Sequence, residues 1–162
     1  MGNAYCSNES AVSFVKKYQY ESQKVADFIR VPVEFILGLA ASETGYGRGP
    51  FVPYNNFFSI HAKSADPDDL PKYSAGTVIA KGTLNDKHPV YVAVFPSFYS
   101  SGMAFADKYG KFVSGAATAM DFATRLRLHH FNPGNVQQGG SPTFVKDLCD
   151  VIAAVKVRIK CQ

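Results

Sequence analysis

Apolar residues recur at spacings of three and four over residues 9 to 30, where Ala11, Phe14, Val15, Tyr18, Val25, Phe28 and Ile29 trace one stripe of an amphipathic helix. Pro32 marks the next start, because proline is tolerated in a helix's first turn, and residues 33 to 43 continue with Gly38 as the one weak position. Gly45, Gly47 and Gly49 end that helix. Residues 62 to 73, AKSADPDDLPKY, are polar and turn-rich, which predicts a surface loop or extended lobe. β-branched and aromatic residues over 77–80 and 90–95 flank GTLNDKHP and predict two strands joined by a loop. Residues 100–109, 116–128 and 142–159 read as three further helices, the last preceded by the Gly/Pro/Asn-rich loop FNPGNVQQGGSP. The expected fold class is α+β and mainly α: a helical domain with a small β-hairpin lobe. With no internal repeat, linker or low-complexity stretch, residues 1–162 are expected to form one domain.

On the second helix Ile36, Leu39, Ala40 and Glu43 stand at i, i+3, i+4 and i+7 and so share one stripe. Glu43 is therefore expected on the buried face. A carboxyl beside apolar groups loses hydration in its charged form, which raises its pKa and suits it to act as a general acid near neutral pH. The negative end of the helix dipole acts in the same direction. Against this stands the plainer reading of a Glu at a helix end that turns into water. Its neighbours favour the first: three glycines allow close approach of a ligand, and Tyr46, Phe51, Tyr54, Phe57 and Phe58 can line a groove. Asn55 and Asn56 offer amide donors and acceptors for an acetamido group.

Composition narrows the partners without naming one. Of 162 residues 46% are hydrophobic, enough for a sizeable core, and 17 Lys and Arg against 13 Asp and Glu give a net charge of +4. That balance suits an anionic polymer, but no run of like charges or recognised motif points to nucleic acid. Thirteen Phe and nine Tyr supply faces that stack on bases or on the apolar sides of sugar rings. No apolar stretch reaches the ~18 residues of a membrane span, no signal core is present, and Cys6 occupies the Ser/Thr position of a myristoylation motif, so no membrane anchor is expected. Neither CxxC nor HExxH spacing occurs, so no metal or cofactor is expected. Cys149 and Cys161, on one expected helix, are separated by about 18 Å at 1.5 Å per residue and cannot bridge each other. A disulfide, if formed, joins Cys6 to either Cys149 or Cys161; the other reading is three reduced thiols.

LAASETGYGRG followed by YNNFFSIH resembles the glucosaminidase domain of glycoside hydrolase family 73, in the lysozyme superfamily, whose pattern is an apolar helix ending in E-S-G-x-G and then N-N-L-F-G-I-K. VFPSFYSSG is similar to the family's aromatic-x-S-x-x-x-S segment, and LHHFNPG with TFVKDLCDVI to its G-Y-A-T-D-P-x-Y stretch and closing helix. The resemblance implies a lysozyme-like fold and Glu43 as proton donor for cleavage of a β-1,4 bond in peptidoglycan glycan strands. It also implies sugar sites shaped by Tyr54, Asn55, Asn56 and Phe58. Two departures stand out. Phe131 occupies the nearest match to the family's cleft tyrosine, leaving that hydroxyl missing or replaced, with His129 and His130 as stand-ins. Residues 74 to 82 carry no partner carboxylate; Asp86 in the hairpin loop is the nearest candidate, with Asp66, Asp68 and Asp69 behind it. Substrate assistance by the sugar's own acetamido oxygen is a third route.

The resemblance favours an N-acetylglucosaminidase, with a muramidase or lytic transglycosylase as neighbours, although the transglycosylases' G-L-M-Q type segment is absent. A non-catalytic glycan-binding module is the alternative of another class. Small wall-degrading domains of this kind also resemble secreted antibacterial effectors of type VI secretion. Such effectors act in a target cell's periplasm and are held in check by an immunity protein in the cleft. Phage endolysins and flagellar wall-opening enzymes are the other contexts.

Overall fold

The computed structural model describes residues 4–81, 83, 87–132 and 140–162. Its helices are α1 (Glu9–Ile29), α2 (Val33–Thr44), α3 (Phe98–Val113), α4 (Ala119–Leu128) and α5 (Phe144–Arg158); its strands are β1 (His61–Ala62), β2 (Gly76–Ile79) and β3 (Tyr91–Val94). The mainly helical α+β expectation is borne out. Local chemistry sets the helix ends. Asn8 caps α1 by accepting from the Ala11 N–H at 3.2 Å, and Arg30, left-handed at φ 70°, closes it with a bond to the Ala26 carbonyl.

α2 is the centre of the molecule. Phe35, Ile36, Leu37, Leu39, Ala40 and Ala41 are all buried, so this helix is covered on every side rather than along one stripe. α1 and α5 flank it. A Cβ at Gly38 would lie 2.6 Å from Ile152 Cγ1 and 3.1 Å from Ile152 Cα, so the bare glycine is what lets α5 come this close. α2 stops where Gly45 adopts φ 55° and donates to the Ala41 carbonyl. Thr44 then gathers the glycine turn. Its hydroxyl donates to the Ala40 carbonyl at 2.8 Å and accepts from the Gly47 N–H at 2.9 Å, and its own carbonyl accepts from Arg48 and Gly49.

Among the described residues the small lobe has three strands, not the two expected. They run antiparallel in the order β1-β3-β2, pairing His61 with Val92 and Gly76 with Val94. β1 is only two residues long and shows no alternation a reader of sequence could find. The polar 62–73 stretch otherwise behaves as expected: Asp66 accepts from the Asp68 N–H at 2.9 Å and caps a single 3-10 turn, Pro67–Asp69.

α3 is longer than the 100–109 read from sequence. Ser97 caps it by accepting from the Ser100 N–H, and the buried stripe Gly102, Phe105, Ala106, Tyr109, Val113 carries it one turn further. α4 starts later than 116, because Thr118 accepts from the Asp121 N–H and fixes the first turn there. Between α3, α4 and α5 lies an aromatic seam in which Phe131 meets Phe105, Tyr109 and Phe144 at ring-centre distances of 5.9, 5.2 and 5.9 Å. Cys6 is bonded to Cys161, with Cα atoms 5.6 Å apart, and Cys149 is a free thiol. No helix among the described residues is long and apolar enough to cross a membrane.

Candidate active site

Glu43 occupies the last turn of α2, between buried Ala40, Ala41 and Thr44, and its side chain is partly exposed. Burial holds its carboxyl above the usual carboxylate range, and a hydrogen bond from the Ser59 side chain pulls partly in the other direction. Desolvation is the larger influence. The carboxyl is therefore a proton reservoir that is also open on one side, since Ser59 is exposed.

The wall next to it is built by residues 51 to 60. Val52–Tyr54 form a 3-10 turn that Asn55 ends at φ 57°, and Asn55 Nδ2 donates to the Phe95 carbonyl at 3.0 Å. Phe95 returns the contact, its N–H donating to the Tyr54 carbonyl at 2.9 Å. Asn56 is the brace of the whole segment. Its Nδ2 donates to the carbonyls of Ile60 and Ala93, each at 2.8 Å, while its Oδ1 accepts from the Ile60 N–H at 3.1 Å. Only 3% of Asn56 is exposed.

These placements divide the residues expected to meet a sugar. Tyr54, 40% exposed, and Asn55, partly exposed, stand where a ligand can reach them. Asn56 and Phe58 do not: the asparagine's amide hydrogens are both committed to backbone carbonyls, and Phe58 is 0% exposed in the core. They hold the wall from behind, which corrects the expectation of direct contact. Tyr46 is directed elsewhere. Its phenol accepts from Arg158 on α5, and its ring lies edge-on to Phe14, 5.9 Å between centres, beside a groove lined by Ser10, Lys17 and Val52. Phe131 belongs to the aromatic seam behind the site.

Tyr109 on α3 is a member that sequence reading missed. Burial raises the affinity of its phenol for its proton, and the negative charge of Glu43 raises it further. The hydroxyl is thus kept protonated close to the acid. Through Phe105 its ring also connects to Phe58, at centre distances of 5.6 and 5.5 Å, so the same α3 face supports both the phenol and the 56–60 turn. His129, weighed as a substitute for the missing hydroxyl, is instead stacked on Phe112 at 3.7 Å.

Asp86, the nearest candidate for a second carboxylate, lies outside the described residues. Asp68 and Asp69 are exposed and line a cavity of about 310 Å³ with His61, Lys63, Asp107 and Lys108. Asp66 is the cap of the 3-10 turn, and Asp69 accepts from Ser64 Oγ at 2.7 Å. Burial, with Lys108 nearby, lowers the pKa of His61. Among the described residues no three His, Cys, Asp or Glu side chains are gathered as a metal site would require.

No family model matches the chain, and no curated protein sequence matches it. Solved structures do. A chain of a type VI secretion system effector–immunity complex from Pseudomonas protegens is 37% identical, with 98% of this chain and 100% of that one covered and a TM-score of 0.80. The peptidoglycan hydrolase of Sphingomonas sp. A1 is 21% identical over 91% of this chain and 92% of its own, at a TM-score of 0.70. A C-terminally truncated glycoside hydrolase domain of Salmonella typhimurium FlgJ is 19% identical over 91% and 98%, at 0.64, and shares the fold. The chain belongs to one family with the Pseudomonas protegens chain, on the lysozyme-like fold that both hydrolase domains share.

Proposed function

We propose that the protein is a peptidoglycan glycosidase that cleaves β-1,4 bonds of the glycan strand, acting as an N-acetylglucosaminidase with Glu43 as general acid. The observation that carries this reading is the Glu43 carboxyl, whose proton affinity burial raises at the end of a helix, beside exposed Ser59 and the phenol of Tyr109. Raised proton affinity favours the protonated carboxyl that a general acid needs when substrate arrives. The carboxyl gives its proton to the glycosidic oxygen as the C–O bond breaks, and the bonding electrons leave with the departing sugar. Tyr54 and Asn55 supply the exposed aromatic face and amide for the adjoining sugar. Asp86 is the proposed partner carboxylate, in the role of base or nucleophile on the opposite face of the ring. Substrate assistance by the acetamido group replaces it if Asp86 proves dispensable.

We further propose that the protein is an antibacterial effector delivered to the periplasm of a target cell and held in check by an immunity protein that covers the cleft. The support is the likeness to a chain from an effector–immunity complex, together with a Cys6–Cys161 bond of the kind that oxidising compartments preserve.

Mass spectrometry of peptidoglycan digested with the purified protein tests the chemistry. Reducing GlcNAc ends support the proposed bond; reducing MurNAc ends would make it a muramidase, and anhydro ends a transglycosylase. Glu43→Gln is expected to lower turnover by about 10²- to 10⁴-fold while the far-UV spectrum stays unchanged. Glycan binding with no soluble product, and no effect of Glu43→Gln on it, would replace the enzyme by a binding module.

A further inference from the structure

Charge of both signs converges on the cavity of about 310 Å³ between β1, the 3-10 turn Pro67–Asp69 and α3. Ala104, Asp107 and Lys108 stand at i, i+3 and i+4 and form its α3 wall. Its apolar lining is Ile60 and Ala104, 1% and 2% exposed, with half-buried Leu70 and Pro71. Lys63 and Lys108 bring ammonium groups to it, and Asp68 and Asp107 carboxylates, all on exposed side chains. These charges do not cancel one another. The ion pairs among the described residues are Arg125–Asp121 and Lys146–Asp150, and neither borders the cavity. The frame that holds the charges apart is fixed: Asn56 grips Ile60 at its N–H and its carbonyl, β1 is paired to β3, and Asp66 caps the turn that carries Asp68. The cavity also adjoins the cleft by chain, since Ile60 ends the 51–60 wall and Lys108 directly precedes Tyr109.

An apolar floor under separated charges of opposite sign suits a ligand whose hydrocarbon chain ends in both an ammonium and a carboxylate. A simple anion would be repelled by Asp68 and Asp107, and a simple cation by Lys63 and Lys108. A neutral sugar ring would leave all four charges unanswered. We propose that the cavity binds the zwitterionic side-chain end of a diamino dicarboxylic acid in the peptide stem of peptidoglycan. The carboxylate meets Lys63 and Lys108, the ammonium meets Asp68 and Asp107, and the methylenes lie on Ile60 and Leu70. This rests on the protein being a peptidoglycan glycosidase, and it narrows the substrate to glycan strands that carry such stems. A stem is tethered to its strand, so holding it raises the effective concentration of the sugars at the neighbouring cleft. The site therefore acts on KM and leaves the chemical step to the cleft.

The ¹⁵N-labelled protein is titrated with synthetic stem tetrapeptides that carry either meso-diaminopimelate or lysine, whose side chain ends in an ammonium without the carboxylate. Amide shifts are expected at residues 61–63 and 104–108, with a Kd about tenfold lower for the diaminopimelate stem, since ionic contacts at an open rim are worth a few fold each. Lys63→Met is expected to narrow the difference between the two stems, and Asp107→Asn to weaken both. Both side chains are exposed, so Tm is expected to stay at the parent's. Turnover is then compared on glycan strands with diaminopimelate stems and on the same strands stripped of peptide by an amidase. The parent is expected to show a KM about tenfold lower on the first, and Lys63→Met to reduce that ratio. Equal shifts with free D-alanine, a zwitterion without the chain, would reassign the cavity to a free amino acid and overturn the proposal. So would an absence of cavity shifts, or equal affinity for the two tetrapeptides; product released from both kinds of strand would then leave the glycosidase reading standing. Binding of the stem with no product from either strand would count against the glycosidase reading and not against the stem site.

Discussion

At the scale of single residues, one proton links stability to the site. The Glu43 carboxyl binds its proton more tightly in the folded chain than in the unfolded one, because burial penalises the charge. A raised pKa contributes stability that is fully present below the unfolded value, near 4.5, and is lost as pH rises through the folded value. Above that window the fold carries the cost of a charged, desolvated carboxylate. Glu43→Gln is therefore expected to melt higher than the parent at pH 7, with the gap closing as pH falls below 4.5. Differential scanning calorimetry at pH 4 and pH 7 reads both. A variant that melts lower at pH 7 would show that the carboxylate is well solvated. The place of Glu43 on α2 was legible in the sequence, since helical spacing alone puts it on a stripe with Ile36, Leu39 and Ala40. Ser59 and Tyr109 were not. Neither is near Glu43 in the chain, and a serine in a turn or a tyrosine on an apolar helix face gives no sign of what it faces.

Whole elements explain why Asn56, expected to meet a sugar, is turned to the backbone instead. Amides and aromatics such as Tyr54, Asn55, Asn56 and Phe58 are what sugars need, yet the same residue types also close a turn. In the folded chain Asn55 secures the end of the 3-10 turn to Phe95, while Asn56 joins the 56–60 turn to β3 through Ala93. Asn56→Ala would strand the Ile60 N–H in a buried position and strip a donor from the carbonyls of Ile60 and Ala93, at a cost of about 2–4 kcal/mol. Urea unfolding followed by far-UV dichroism measures it. A loss below half a kcal/mol would mean that backbone and water replace the amide without strain. The helices were easier to read than the lobe. Their 3.6-residue period survives in the sequence, and errors were confined to ends, where Ser97 and Thr118 set the start by side-chain bonds that periodicity does not register. β1, two residues held by pairing to β3, exists only through its partner.

Across the whole molecule the Cys6–Cys161 bond closes a loop with a sequence separation of 155. The sequence could exclude a Cys149–Cys161 pair by helix length, but could not choose between the two partners of Cys6. The choice follows from where α5 ends. Cys161 lies past its last residue, where Arg158, only 7% exposed, donates to the Tyr5 carbonyl and brings the 4–7 segment alongside. Closing so long a loop restricts the unfolded chain, and the paired Cys6→Ser/Cys161→Ser variant is expected to lose about 2–5 kcal/mol. Thermal melts with and without reductant check this: the parent should fall to the level of the variant when reduced, and the variant should not respond. Equal melting of reduced and oxidised parent would assign the stability of this corner to Arg158 instead.

The same bond changes how the molecule answers to force. A pull applied outside residues 6 and 161 passes from one sulfur to the other and never reaches α2 or the sheet. A processive unfoldase that pulls from outside the bond meets a covalent ring at Cys6 or Cys161, whereas the reduced chain can be threaded through. Passage through a narrow channel is thus open to the dithiol form and closed to the oxidised one, so the order of transit and oxidation decides which side of such a channel the folded protein can occupy.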